Sequence, residues 1–451
     1  MCLLLVAIVA SITLYIIIER LVNIASYWKK RNVVHIEPWP LLGNMAPFIF
    51  GQKTGQNLFE DLYNKFPNER YVGFHAFLKP GLLIRDPELI KKIAVKDFGH
   101  FMDRSLFFVE DDLDSILSNN LVSLRGEKWR KMRTTLSPLF TSSKMKFMFE
   151  LVSHCSQDFT KYFLEQDGEI LNVEMKDIFS RFTTDAIATT IFGVSTDSLR
   201  NQNNEFFLMT KNMTNTGGLR ALRFVGYLLI PKLLKFFNIP LFPDKVVIFF
   251  TKLIKDVIES RRRNAIIRPD MVHLFLEARK KLKNNNEEDF SDEIIIAQAV
   301  IFAFAGFENT STIMSFMSYE LAANRNIQDK VQCEIDEVLQ KCEEKITYED
   351  VSKLKYLDMV ILETLRKWPA GPVYERMCVK DYEIPAELKE DKDIVIEKGT
   401  TIFIPYGPIH RDSKYFPDPM TFDPQRFNGD TNKIPSPFIF MPYGVGPRNC
   451  I

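Results

Sequence analysis

One cysteine near the end of the chain sits in Tyr443-Gly444-Val445-Gly446-Pro447-Arg448-Asn449-Cys450. Arg448 puts a cation close to this thiol, and a cation favours the thiolate, the form that binds metals. Gly444 and Gly446 let backbone pass where a side chain would clash, as when a loop lies against a flat ligand. Alone, the string also fits a glycine-rich turn with an incidental cysteine. Three other groupings have useful spacing. Glu363 and Arg366 share a helix face, though such pairs are usually solvated. Trp129 and Arg133 also share a face; a guanidinium there either grips a carboxylate through two bonds or lies on the surface. Ala305-Gly306-Phe307-Glu308-Asn309-Thr310 places an acid in an apolar helix, beside a glycine that costs about 1 kcal/mol relative to Ala. Both penalties suggest a local opening with a polar role, a packing glycine being the alternative.

These residues need elements to carry them. Ser291 can cap a helix whose first turn holds Asp292 and Glu293, and no Pro interrupts it before about Ala323. At ~1.5 Å per residue it spans about 50 Å. It is apolar nearly all round, so it is expected to be central and buried. Residues 54–375 read as largely helical, and after Arg376 short apolar runs between Pro and Gly read as strands and coil. Residues 280–289 read as a solvated loop. Residues 224–250 are apolar but broken by Pro231, Pro240 and Pro243; they fit core helices and a segment dipping into a bilayer equally well.

The chain has 451 residues, long enough for a large core or more than one domain. Its 58 basic and 58 acidic residues cancel, so bulk charge gives no sign of nucleic acid as a partner. The six cysteines, Cys2, Cys155, Cys333, Cys342, Cys378 and Cys450, form no CxxC pair. That signals neither zinc nor a disulfide framework and fits a reducing compartment. Residues 2–18 carry no charge, a run near the lower limit of about 17 for a span. Lys29, Lys30 and Arg31 follow it, which places the C-terminal side in the cytosol. No basic segment precedes the run and no small-x-small cleavage site follows, so it reads as a retained anchor over residues 1–24. Residues 25–53 read as a basic and proline-rich connector and the start of the globule, with Pro38-Trp39-Pro40 either a stiff link or an ordinary surface turn, and 54–451 as the main domain.

Taken together the motifs resemble the cytochrome P450 superfamily. The Cys450 string is similar to its haem-binding loop, with Tyr443 where Phe is usual, and with Gly446, Arg448 and Cys450 matching. Glu363-Thr364-Leu365-Arg366 resembles the ExxR motif, and Pro424-Gln425-Arg426-Phe427 the downstream segment that supplies Arg426 to a buried Glu363–Arg366–Arg426 cluster. Trp129 to Arg133 resembles the WxxxR helix, and residues 305–310 the oxygen-activation motif, with Asn309 in place of the first Thr. The stretch His410-Arg411-Asp412 to Phe416-Pro417-Asp418-Pro419 fits the same order. Arg268-Pro269-Asp270-Met271 and Arg366-Lys367-Trp368-Pro369-Ala370 look like insect microsomal members linked to detoxification.

The resemblance implies a mainly α fold, a helical bundle around haem with a small β region. It implies haem b with Cys450 as the axial iron ligand, a thiolate that favours O–O cleavage. Arg133, Arg376, Arg448 and, as a further candidate, Arg104 would hold the propionates, with Trp129 and Tyr443 also lining the haem. Glu308 with Asn309 or Thr310 would relay protons. Phe101, Phe107, Phe108, Phe302, Phe304, Pro372 and Val373 are pocket candidates by position, although aromatic residues there also suit a core. The reaction implied is insertion of one atom of O2 into a lipophilic small molecule, xenobiotic or endogenous. Electrons would come from NADPH through cytochrome P450 reductase, with cytochrome b5 as a second donor, on the cytosolic face of the endoplasmic reticulum. Lys128, Arg130, Lys131, Lys144 and Lys146 could form the basic face that meets an acidic reductase, or a solvated face. The family's glycine two residues past the cysteine has no counterpart, because the chain stops at Ile451; on the resemblance, the chain as it stands is expected to be truncated and to hold haem poorly. Two rival readings are a rearrangement or dehydration needing no reductase, and a product without activity.

Overall fold

The computed structural model describes residues 2–451 except 105–117, 169, 215–222, 224, 228–230, 238, 241–242, 265–266, 269, 285–289, 343–345, 387–392 and 430–435. The chain divides into two compact units. One comprises residues 1–107, 371–420 and 435–450; the other comprises 108–370 and 421–434 with Ile451. The architecture is mainly helical with a small β region, as expected from the resemblance.

The first unit opens with the helix Cys2–Ala25. Within it Leu4–Ala25 has a mean hydropathy of 2.2 and no buried part. Its 22 residues span about 33 Å, enough for a hydrocarbon core of about 30 Å. The helix runs past the uncharged stretch and takes in Glu19 and Arg20.

Residues 25–53 pack on the strands that follow. Trp28 is wholly buried and its indole N–H donates to the Phe74 carbonyl at 2.9 Å. His35 bridges Gly73, and Gly43 bridges Ala76. Gly73 has to be a glycine, because a Cβ there would stand 2.5 Å from the Trp28 ring. The prolines shape the turn around Trp39–Gly43 but do not detach it from the globule. Trp28→Ala is expected to cost about 3–5 kcal/mol, the loss for a large buried aromatic, seen as a lower denaturant midpoint at unchanged slope.

Six strands follow: β1 Tyr71–Ala76, β2 Lys79–Ile84, β3 Tyr374–Met377, β4 Tyr382–Ile384, β5 Ile394–Ile396 and β6 Thr401–Ile404. One sheet has the order β1-β2-β6-β3, with β2 and β6 parallel and the other pairs antiparallel; β4 and β5 form a separate ribbon. The last four strands lie in the region expected to turn to strands. The β1–β2 hairpin does not, since residues 54–375 were expected to be largely helical. Strand β2 buries a continuous apolar run, which periodicity alone does not separate from a buried helix.

In the second unit the helix Asp292–Ala323 follows the expected course, with the Ser291 hydroxyl accepting from the Ile294 N–H. It packs on the Met175–Ile187, Glu205–Thr214 and Lys355–Lys367 helices. It is not buried all round. Phe304, Ala305, Asn309 and Thr310 form an exposed face in its middle, while Ala303, Phe307 and Ser311 on other faces are buried. Of the loop expected over 280–289, residues 280–284 belong instead to the helix Met271–Asn284, and 285–289 lie outside the described residues. Around the three prolines of 224–250 the described residues form the helices Pro231–Phe236 and Asp244–Asn264. Phe236, Phe237 and Ile248 are exposed and Phe250 is buried, so the segment has features of both readings.

Candidate active site

In the first unit, residues 441–450 form a loop tethered mainly through its backbone. The Met441 N–H donates to His410 Nε2 at 3.0 Å, and the Cys450 N–H donates to the Tyr443 carbonyl at 2.8 Å. Gly444 and Gly446 have φ of 79° and 76°, the left-handed region that favours glycine. A Cβ on Gly446 would run into the Ala94 carbonyl. The close approach expected at these glycines is therefore, at Gly446, an approach to protein backbone. The outcome is an exposed Cys450 thiol, outside any disulfide, at the end of a fixed turn. Tyr443 is 55% exposed.

Beside it the same unit gathers three guanidiniums. Arg376 comes from β3; Arg104 follows Asp103, which bridges Met377 at the open edge of that strand; Arg448 lies in the loop. Arg376 and Arg448 are buried, and Arg104 is half-buried. Arg448 donates to the Met102 carbonyl at 2.6 Å and stands 3.7 Å from Asp103. Arg376 donates to the Glu375 carbonyl at 2.7 Å and to the Arg448 carbonyl at 3.4 Å. Burial first, and Arg104 second, push the Arg376 guanidinium down to about 9; burial, then Arg104 and Arg376, do the same to Arg448, also to about 9. Burial lowers Arg104 too, against the pull of Glu375, Tyr374 and Cys450. The guanidiniums stay charged at neutral pH, and Asp103 and Glu375 are the carboxylates whose fields reach them. The Nε of Arg104 and of Arg376 have no hydrogen-bond partner among the described residues. A partly buried cluster of three guanidiniums, two with an Nε donor that has no partner among the described residues, suits a ligand with two carboxylates. Haem, with two propionates and a metal for the nearby thiol, fits this donor set.

The second unit holds the remaining motifs. Glu363 and Arg366 are both wholly buried on the Lys355–Lys367 helix and join through two bonds, Nε to Oε2 at 2.6 Å and an Nη to Oε1 at 2.8 Å. Glu363 Oε1 also accepts from the Asp423 N–H at 2.9 Å and stands 3.5 Å from Arg426 Nε. The expected Glu–Arg–Arg cluster is thus assembled in space. On the Gly126–Leu136 helix Trp129 is buried and Arg133 half-buried.

At residues 305–310 the helix is unbroken, so the expected local opening is absent. Gly306 faces Ile187, whose Cδ1 would be 3.2 Å from an added Cβ, which is the packing alternative. Asn309 Nδ2 donates back to the Ala305 carbonyl at 3.0 Å. Glu308 Oε1 pairs with Lys176 Nζ at 3.0 Å and lies 3.4 Å from the Thr312 hydroxyl. Lys176 also donates to the Ser311 and Thr312 hydroxyls at 2.7 and 2.8 Å.

Other candidates divide. Phe101 is wholly buried against Tyr382, with ring centroids 4.8 Å apart, which is core packing and leaves it no surface to offer a pocket. Phe302 stands edge-on to Phe140 and parallel to Phe275, again an aromatic core. Phe304 is 37% exposed on the open face of its helix. Pro372 and Val373 are half-buried just before β3. Phe107 and Phe108 lie outside the described residues. Of the basic face, Lys144 pairs with Glu277, Lys146 with Glu349 and Arg130 with Glu127, so much of its charge is locally matched; Lys128 and Lys131 are exposed. Sequence reasoning missed Lys176 and Tyr374, since neither stands at a spacing that signals its partner, and it named His410 only within a family stretch, without a role.

Residues 35–451 match the family model described as Cytochrome P450. Two similar curated proteins are cytochrome P450 9e2 of Blattella germanica, 40% identical over 94% of this chain and 84% of that protein, and cytochrome P450 6a2 of Drosophila melanogaster, 38% identical over 94% and 85%.

Proposed function

The chain belongs to the cytochrome P450 family, and as such is a haem-thiolate monooxygenase acting on lipophilic substrates; from that premise we propose that Cys450 is its iron ligand and that Arg104, Arg376 and Arg448 hold the propionates. The observation that carries this reading is the gathering of Arg104, Arg376 and Arg448, all buried or half-buried, in the same unit as an exposed thiol. Electrons come from NADPH through cytochrome P450 reductase, with cytochrome b5 as a second donor. The apolar helix Cys2–Ala25 holds the protein at the endoplasmic reticulum with its catalytic part in the cytosol, an orientation supported by Lys29, Lys30 and Arg31 after the helix.

Bound haem supplies dioxygen activation and the transfer of one oxygen atom to substrate. The protein's own residues supply placement and protons. The loop presents the Cys450 sulfur, and the arginines neutralise the propionates. Glu308 Oε1 is occupied by Lys176, while Oε2 has no partner among the described residues and can hold a water. The Asn309 amide is tethered to Ala305, which fixes Oδ1 as an acceptor. An amide orders water but is a poor relay, because unlike a hydroxyl its donor and acceptor are separate atoms. Asn309→Thr is therefore expected to lower peroxide released per NADPH consumed and to raise product yield, and Glu308→Gln to slow turnover. Coupling unchanged or worsened by Asn309→Thr would remove Asn309 as the weak point.

The function is tested by turnover with reductase, NADPH and isotopically labelled dioxygen over a panel of lipophilic compounds. One labelled atom per product, with strict dependence on NADPH, is expected. Unlabelled product formed without NADPH would instead indicate rearrangement of an oxygenated substrate.

A further inference from the structure

Tyr374 opens β3 two residues before Arg376, and its side chain turns to the ligand loop. Its hydroxyl lies 2.9 Å from the Met441 carbonyl and 2.7 Å from the Pro442 carbonyl, so one proton is shared between two acceptors. The ring stacks on Tyr406 with centroids 4.0 Å apart and planes 13° from parallel. Tyr406 belongs to the short helix Tyr406–His410, whose last residue takes the Met441 N–H. Both backbone groups of Met441 are therefore held, one by Tyr374 and one by His410. Further on, a Cβ on Gly444 would stand 3.6 Å from the Tyr374 ring. We propose that Tyr374 is a positioning residue for the haem-ligand loop: its hydroxyl clamps the carbonyls where the loop begins, and this fixes the turn that presents Cys450.

The chemistry suits the task. Burial raises the Tyr374 phenol far above its ordinary range, so it stays neutral and keeps its donor proton throughout the working range of pH. Buried carbonyls without a donor are costly, so removing the hydroxyl takes this donor from the Pro442 carbonyl, leaves the Met441 carbonyl with the Gly444 N–H at 3.0 Å, and loosens the chain at that point. A bulky apolar residue at 374 would fill the same space without the clamp, which separates positioning from packing.

The inference rests on Cys450 being the haem ligand. The test is Tyr374→Phe, which keeps the ring and its stack on Tyr406. Two measurements follow: hydrogen exchange of the peptide spanning 441–450, and the lifetime of the red-shifted Soret band of the reduced carbon monoxide complex. The account expects exchange in 441–450 to rise about fivefold, the factor for one ordinary hydrogen bond, with exchange in Asp292–Ala323 unchanged. It expects the red-shifted band to decay to the unshifted form several times faster than in the wild type. Unchanged loop exchange and an unchanged band lifetime would overturn the proposal, and so would an equal rise in exchange across the whole protein. If the wild type shows no red-shifted band, the ligand assignment fails instead, and loop exchange still decides whether Tyr374 clamps the loop.

Discussion

Glu363→Ala is expected to lower stability by about 3–5 kcal/mol, the usual cost of removing one partner from a buried ion pair. Glu363 is wholly buried and its two oxygens satisfy Arg366 twice, the Asp423 N–H once, and the charge of Arg426. Deleting it leaves two guanidiniums facing each other away from water, with one backbone donor unsatisfied. Because Arg366 also reaches the Thr421 carbonyl at 3.4 Å, the loss spreads to the chain just before Arg426. The denaturant midpoint should fall sharply. Glu363→Gln, which keeps one acceptor oxygen but loses the charge, should fall between it and the wild type. A Glu363→Ala protein within about 1 kcal/mol of wild type would mean that the cluster is offset elsewhere and is not the brace described.

How far the sequence alone reached differs from one element to another. The helix Asp292–Ala323 was legible because its cap, its first-turn acids and its uninterrupted course are all local. Its exposed face around Asn309 was not, since exposure depends on what other elements leave uncovered, and apolar composition looks the same on a covered and an uncovered face. The Glu363–Arg366 pair was legible as helical spacing, but its burial and its link to Arg426 came only from the family pattern. The hairpin Tyr71–Ile84 was hidden by a run that is apolar on both faces. The docking of residues 25–53 was not legible, because prolines speak of chain stiffness while the docking is set by Trp28 meeting a glycine far along the chain. Lys176 and Tyr374 gave no signal, and His410 only a place in a family stretch, as each acts on a partner more than 30 residues away, at distances that only folding brings within reach.

Among the described residues two helices are long and apolar enough to cross a membrane, and they illustrate the same limit. Leu4–Ala25 has none of its window buried, while Asp292–Ala323 has 44% buried and packs within its own unit. Composition passes both, and packing separates them. The first suits an anchor and the second a core helix that carries Glu308 and Asn309.

Cys450 is the point on which the account turns, and its second large prediction is a complete loss. On this proposal the loop is shaped around that sulfur by its left-handed glycines and its tethers at Met441 and Tyr443, with Arg104, Arg376 and Arg448 in the same unit. No other described cysteine shares this setting; Cys378 is buried and burial pushes its thiol up to about 11, and Cys155 is raised likewise to about 11. A thiolate ligand gives the reduced carbon monoxide complex a red-shifted Soret band that imidazole or water ligation does not give. The decisive measurement is that difference spectrum for the wild type beside Cys450→Ala and Cys378→Ala. In a version extended to the family's full C-terminus, the account predicts the red-shifted band with the loop unchanged and with Cys378→Ala, and its complete absence with Cys450→Ala. A red-shifted band that survives in Cys450→Ala would contradict it.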